Sequence, residues 1–373
     1  MLRSNIMRIL YVNQWGGLGG AEISLLRVLE RLPRDQVQPA LACPPGALAE
    51  EARALEVEVF PSEFPSLRRS GELSEGVLQR LRDAVARCDL VHAYSVRAGW
   101  FAGRLCRNLR VPMVWSIHDL FPYLWQKIWL RAVAQRYAGA VVAYSRALQR
   151  QMGKGLQDRV YHIPHGVDTS LFRSLEPPAR TEVRRRFGTP ADVPVVIHVG
   201  RVMPFKGQHL FLQMAQMLRC HHPDAVYWLA GDDSMGDHRY ALRVRAMSER
   251  AQPQIRWLGF QRDIAPVIAA ADVLVHCSTR PEPFGLVILE AMACGAVVVS
   301  ANRGAPAEIL ENGRTGILTP PNKPRPLADA VHSLLASEQQ RWAIASSARR
   351  TVCERYTLEQ HIQRLLALYQ SLL

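Results

Sequence analysis

The chain has 373 residues, 48% hydrophobic and 21% charged, a globular balance that excludes a wholly disordered or collagen-like protein and calls for two domains of roughly 150–200 residues. Its net charge is +13, and between Arg68 and Arg159 sixteen Lys/Arg stand against six Asp/Glu. That excess favours phosphorylated substrates, nucleic acid or an anionic membrane surface, although a bias toward arginine codons accounts for it too, since only residues 127, 154, 206 and 323 are lysine.

Met1-Leu2-Arg3-Ser4-Asn5-Ile6 lacks a signal-peptide core and runs into a strand pattern, Met7–Asn13. Ala21–Leu32 reads as a helix. Strands follow at Pro39–Cys43, Val57–Phe60, Leu90–Tyr94, Met113–Ile117 and Ala140–Tyr144, and helices at Glu75–Ala86, Ala98–Leu109, Leu124–Tyr137 and Ser145–Met152. This alternation predicts a parallel sheet covered on both faces. Thr169–Val193, with Pro177-Pro178, Pro190 and Arg184-Arg185-Arg186, reads as the connection between domains. The alternation then resumes. Strands are expected at Val195–Val199, Val226–Leu229, Asp272–His276 and Val297–Ser300, and helices at Gln208–Cys220, Phe284–Cys294, Pro324–Ala336 and Glu359–Leu373. Two successive doubly wound α/β units place ligands beyond the carboxyl ends of their strands. Seven cysteines without a C-x-x-C pair argue against a disulfide scaffold or a zinc site. No apolar run reaches the ~18 residues of a membrane span.

Three segments carry chemistry. Gly16-Gly17-Leu18-Gly19-Gly20 follows the first strand and opens a helix. Uncovered backbone N–H groups there suit a phosphate or a close-packed sugar, and a tight strand–helix turn suits the same residues. Gly200-Arg201 and Lys206-Gly207 set two cations at a strand end, an arrangement for a diphosphate or for a solvated loop. Glu282-Pro283-Phe284-Gly285-Leu286, with Glu290 eight residues after Glu282, sets one carboxylate in a loop and another about two turns into a helix. Flanked by Leu286–Leu289, Ala291 and Met292, a buried Glu290 needs a partner. His118-Asp119 ends a strand, where open α/β sheets carry functional groups. His165-Gly166-Val167-Asp168 reads as a turn or a site. No G-x-S-x-G, H-E-x-x-H or D-x-D occurs.

Taken in order, Gly19-Gly20-Ala21-Glu22, His118-Asp119, His165-Gly166-Val167-Asp168, Gly200-Arg201 with Lys206-Gly207, and the Glu282…Glu290 block resemble the family 4 glycosyltransferases over essentially the whole chain. The resemblance implies a GT-B fold: two facing Rossmann-like domains around a cleft, residues 1–175 for the acceptor, 176–356 for a nucleotide sugar, and a helix over 357–373 returning to the first domain. It implies retaining hexosyl transfer from a UDP- or GDP-sugar with no cofactor and no metal. Arg201 and Lys206 then neutralise the departing diphosphate, helped by the N–H groups of Phe284, Gly285 and Leu286 and by Gly19 and Gly20. Glu290 holds the ribose hydroxyls. Glu282 holds the donor sugar and steadies the cationic transition state. His118 binds the donor sugar or shapes the acceptor pocket. Gly259, Phe260 and Arg262 lie at the base. Arg280-Pro281 departs from the small polar residues of many relatives.

The acceptor is expected to be an anionic or lipid-linked glycan of cell-envelope polysaccharide synthesis. The basic first half, with Trp125 and Trp129 beside Lys127 and Arg131, suits a cytoplasmic enzyme peripheral to the inner face of the membrane. The same tryptophans, four apart, also suit the core stripe of a helix. Two alternatives remain on the same fold: a UDP-sugar 2-epimerase, or transfer to a soluble small molecule. Nucleic acid is not an expected partner, because the basic segment carries no recognised motif.

Overall fold

The computed structural model describes residues 6–66, 72–233, 237–251 and 254–373. Met1–Asn5 and the start of the basic stretch, Arg68 and Arg69, lie outside the described residues. Contacts divide the chain into a unit of Met1–His165 with Leu358–Leu373 and a unit of Gly166–Thr357.

The first unit runs β1 (Met7–Val12), α1 (Gly20–Arg31), β2 (Val37–Cys43), α2 (Ala47–Ala54), β3 (Glu58–Pro61), α3 (Glu75–Ala86), β4 (Leu90–Ala93), α4 (Val96–Leu109), β5 (Met113–Ile117), α5 (Leu124–Tyr137), β6 (Ala140–Ala143), α6 (Arg146–Met152) and β7 (Val160–His162). Its strands form one parallel sheet in the order β3-β2-β1-β4-β5-β6-β7. β4, β5 and β6 are buried along their whole length, as strands covered on both faces must be. The order reverses between β1 and β4, which pair from Ile9↔Leu90 to Val12↔Ala93.

The second unit runs α7 (Pro177–Arg186), β8 (Val195–Val199), α8 (Gln208–Leu218), β9 (Val226–Ala230), α9 (His238–Ala251), β10 (Ile255–Gly259), α10 (Ala265–Ala269), β11 (Val273–His276), α11 (Leu286–Cys294), β12 (Val297–Ala301), α12 (Pro306–Ile309), β13 (Ile317–Thr319), α13 (Pro324–Ala336) and α14 (Glu338–Arg355). Its sheet, also parallel, has the order β10-β9-β8-β11-β12-β13 and reverses between β8 and β11. The last helix, α15 (Leu358–Gln370), is part of the first unit. The Tyr369 hydroxyl lies 2.6 Å from His92 Nδ1, and His361 Nδ1–H donates to the Pro164 carbonyl at 2.8 Å.

The segment expected as a linker is instead built into the second unit. Pro177 and Pro178 occupy the first turn of α7, where a missing N–H costs nothing. Arg184, from the basic cluster, is buried: it donates to the carbonyls of Ala191, Val193 and Ala270 and pairs with Asp272 at 2.8 Å. The division falls at His165–Gly166, ten residues before the expected boundary. Val167 bridges Thr357 and Arg349 donates to Ser174, which ties this stretch to the second unit. Among the described residues no helix is long and apolar enough to cross a membrane, and the seven cysteines are unpaired thiols.

Candidate active site

The strand reversal of the second unit gathers its polar residues. β8 ends at Val199, and the loop beyond it closes through a 3-10 turn over Pro204–Lys206. Gly207 then starts α8 with φ +78°, and a Cβ there would stand 2.1 Å from the Cys277 carbonyl oxygen. Only glycine permits that approach. Thr279 N–H donates to the Phe205 carbonyl at 2.8 Å, joining the loops after β8 and β11.

The result is an ion pair. Lys206 Nζ donates to both carboxylate oxygens of Glu282 at 3.1 Å. Ser278 Oγ–H donates to Glu282 Oε2 at 2.7 Å, and His276 Nε2 lies 3.3 Å from the same oxygen. His276 Nδ1 lies 3.0 Å from Ser300 Oγ. Burial by itself would raise the Glu282 carboxyl; Lys206, then the bonds from His276 and Ser278, outweigh it and hold the group well below the usual carboxylate range. The Glu282 backbone is fixed as well, since Ala305 N–H donates to its carbonyl and Gly304, at φ +72°, leaves no room for a Cβ.

α11 begins at Leu286, two residues later than expected, capped by Gly285 at φ +87°. Glu290 therefore stands about one turn into the helix rather than two. It is buried. Phe284 is buried ahead of the cap, and the first N–H groups of α11 lack partners within the helix. Arg201, expected beside Lys206, is exposed on the same loop, its carbonyl held by Gln208 Nε2 at 2.8 Å. The ends of β8, β9 and β10 are laced together: Gly200 N–H donates to Ala230 and Gly231 N–H to Gly259, both at 2.9 Å. Gly259, Phe260 and Arg262 thus stand at the carboxyl edge of this sheet, with Phe260 exposed.

The remaining expected residues belong to the first unit. Its glycine loop folds on Trp15: a Cβ on Gly17 or Gly19 would meet the Trp15 ring, whereas the space beside Gly20 is open. Glu22 closes the turn, accepting from Gly19 N–H and from Asn13 Nδ2. His118 follows β5 among rings, 4.8 Å from Tyr144 and 5.4 Å from Tyr94 by centroid. Its Nε2 is buried without a hydrogen-bond partner among the described residues. Burial, then the nearby His361, lowers its pKa to about 3, so the ring is neutral. Tyr144 stacks on His165 at 3.6 Å. Asp168 of the His165–Asp168 motif accepts from the N–H groups of Ser170 and Leu171 and serves as a turn former.

Sequence reasoning missed His276, Ser278 and Ser300. His276 closes an apolar run, Val273-Leu274-Val275, and reads as core; the one signal was a histidine on the last residue of a strand at the sheet reversal. Among the described residues no group of three His, Cys, Asp or Glu converges as metal ligands.

Two family models cover most of the chain: Glycosyltransferase Family 4 matches residues 18–171, and Glycosyl transferases group 1 matches residues 179–351. The sequence is 28% identical to alpha-D-kanosaminyltransferase of Streptomyces kanamyceticus across 76% of this chain and 77% of that enzyme. It is 26% identical to D-inositol 3-phosphate glycosyltransferase of Thermobispora bispora across 90% of this chain and 86% of that one. Among solved structures, Anabaena HepE in complex with UDP and glucose matches at a TM-score of 0.88 and 28% identity, over 98% of this chain and 100% of that one.

Proposed function

The chain belongs to glycosyltransferase family 4, an enzyme with the two Rossmann-like domains of the GT-B fold, and we propose that it transfers a hexosyl unit from UDP-sugar to an acceptor hydroxyl with retention and without a metal. The observation that carries this reading is the Lys206–Glu282 pair at the strand reversal of the second unit. Lys206 offers a cation to a departing diphosphate, joined by the Leu286 N–H at the start of α11 and the Phe284 and Gly285 N–H groups just ahead of it. Arg201 adds a second cation from the same loop. Glu282, held anionic, takes a sugar hydroxyl and faces the positive charge that grows on the sugar ring. Glu290 takes the ribose hydroxyls, with the base by Gly259, Phe260 and Arg262. In the first unit, the space beside Gly20 is open, and the neutral ring of His118 is able to accept or donate one hydrogen bond at Nε2. UDP is favoured because HepE was solved with UDP and with UDP-glucose.

A thermal-shift panel of UDP, GDP and ADP, then their sugars, tests the donor. A ligand at 100 times its Kd adds about 2.7 kcal/mol of stability. UDP and a UDP-sugar should shift the chain; no shift with any nucleotide rejects the reading. Incubation with the donor alone separates transfer from 2-epimerisation, since an epimer formed without acceptor contradicts transfer.

The acceptor reading is a lipid-linked glycan of envelope polysaccharide synthesis, met by a cytoplasmic enzyme at the inner membrane face. One observation favours it. Tyr123, Leu124, Trp125 and Ile128 at the start of α5 are 61%, 66%, 67% and 55% exposed, beside Lys127 and Arg131. Trp129 instead packs on Trp100 at 5.7 Å, so the two tryptophans do not form a core stripe together. Such an apolar patch with cations suits an anionic bilayer. Co-sedimentation with phosphatidylglycerol vesicles at low salt should recover the chain, and Trp125→Ser should release it; no binding by the wild type rejects the membrane reading.

A further inference from the structure

We infer that His276 is a positioning residue that keeps Glu282 in place when Lys206 is drawn from the carboxylate to a diphosphate. This inference rests on the donor reading of the site.

The hydrogen bonds around Glu282 are unequal. Oε2 faces three donors: Lys206, Ser278 and His276. Oε1 faces Lys206 alone among the described residues. A sugar hydroxyl therefore has open lone-pair space on Oε1, and Oε2 is the anchored side. Lys206 is the one partner of the pair with a competing task. If its ammonium turns to a diphosphate, the carboxylate loses its largest stabilising charge while remaining buried, and an uncompensated buried carboxylate is costly. Ser278 and His276 are what remains.

Proton counting fixes the ring. The Ser278 hydroxyl proton is committed to Glu282 Oε2, so toward His276 Nε2 at 3.3 Å the Ser278 oxygen can only accept. A carboxylate likewise only accepts. Both neighbours of Nε2 thus require an Nε2–H donor. The other side of the ring is held by Ser300, whose Oγ lies 3.0 Å from Nδ1 and 3.2 Å from the His276 carbonyl. His276 ends β11 and Ser300 lies in β12, opposite it in register. The sheet itself therefore aims the imidazole. His276 and Ser300 are both nearly fully buried, so solvent does not supply the bond if the ring is lost.

The test uses His276→Leu, which removes the donor, and His276→Gln, whose amide N–H reaches the position of Nε2. UDP and UDP-glucose affinities are measured by calorimetry, together with the rate of UDP release from UDP-glucose. His276→Leu should leave the UDP Kd within about 3-fold, weaken UDP-glucose relative to UDP, and slow release roughly 10- to 100-fold, the range of a hydrogen bond to a charged group. His276→Gln should recover most of that loss, which a merely structural role would not allow. Wild-type release by His276→Leu, or no recovery in His276→Gln, overturns the inference. Should His276→Leu fail to fold, Ser300→Ala loosens the ring instead, and release at the wild-type rate there overturns it equally. Lys206→Ala separates the two levels: if it binds UDP and releases it normally, the donor reading itself has failed; if it is impaired while the His276 variants are normal, only the positioning role has.

Discussion

Lys206 Nζ sits 3.1 Å from each carboxylate oxygen of Glu282, seventy-six residues further along the chain. The sequence places one in a loop after β8 and the other in a loop after β11, and the adjacency of those strands at the sheet reversal makes them neighbours. Two groups that motif reading assigns to separate parts of a donor molecule are each other's counter-ion.

Lys206→Ala should accordingly act twice, removing the cation for the leaving group and exposing Glu282 to its uncompensated burial cost. Steady-state kinetics should show turnover falling by about 100-fold or more, as for loss of a preorganised charge at a reacting centre, with KM for the donor changed far less. A variant with unchanged turnover contradicts the assignment.

Glu290→Ala should behave differently. A carboxylate that takes two ribose hydroxyls contributes to nucleotide binding in ground and transition states alike, so its loss raises Kd for UDP by roughly 10-fold or more. Calorimetry on free UDP reads this directly. Equal affinity in the two proteins removes Glu290 from the site.

Gly207→Ala tests the geometry beneath the pair. The left-handed φ and the 2.1 Å approach to Cys277 allow no Cβ without moving α8 or β11. Strain of this kind costs roughly 1–3 kcal/mol, and the shift displaces Lys206. Urea unfolding should show the lost stability and the transfer assay a parallel loss of rate. A variant with wild-type stability and rate contradicts this packing.

The first unit carries a pH dependence of its own. Burial is the main cause that lowers the pKa of His118 to about 3 and of His361 to about 4, and it drives His92 and His165 well below the ordinary histidine value. The unfolded chain binds protons near pH 6.5 while the folded one does not. Stability is therefore full above that pH and is lost as pH falls from about 6.5 toward 4. At pH 5 each neutral histidine should account for roughly 1–2 kcal/mol. Urea midpoints at pH 7.5, 6 and 5 should decline in that order, and a flat series contradicts the neutral cluster.

How much of this could be read in advance depended on whether a signal was local. Glu75–Ala86, Met113–Ile117, Leu124–Tyr137, Val195–Val199 and Pro324–Ala336 coincide with the observed elements, because each has its own period and boundaries. α14 is not legible in advance, since its eighteen residues bury only Ile344, Ala348 and Val352, a stripe one residue wide among polar neighbours. The Pro177-Pro178 pair reads as a linker in the sequence because first-turn prolines and loop prolines look alike until Arg184 finds Asp272. Within the site, the cations and glutamates announced themselves by spacing. His276 and Ser300 did not, since their meaning comes from the register between β11 and β12 and from a salt bridge neither strand reveals alone.

The most direct measurement is a crystal structure of this chain soaked with UDP. The diphosphate should lie within hydrogen-bonding reach of Lys206 Nζ and the backbone N–H groups of Gly285 and Leu286, with the ribose hydroxyls on Glu290. Diphosphate density away from the β8–β11 reversal, with Lys206 still paired to Glu282, would contradict it.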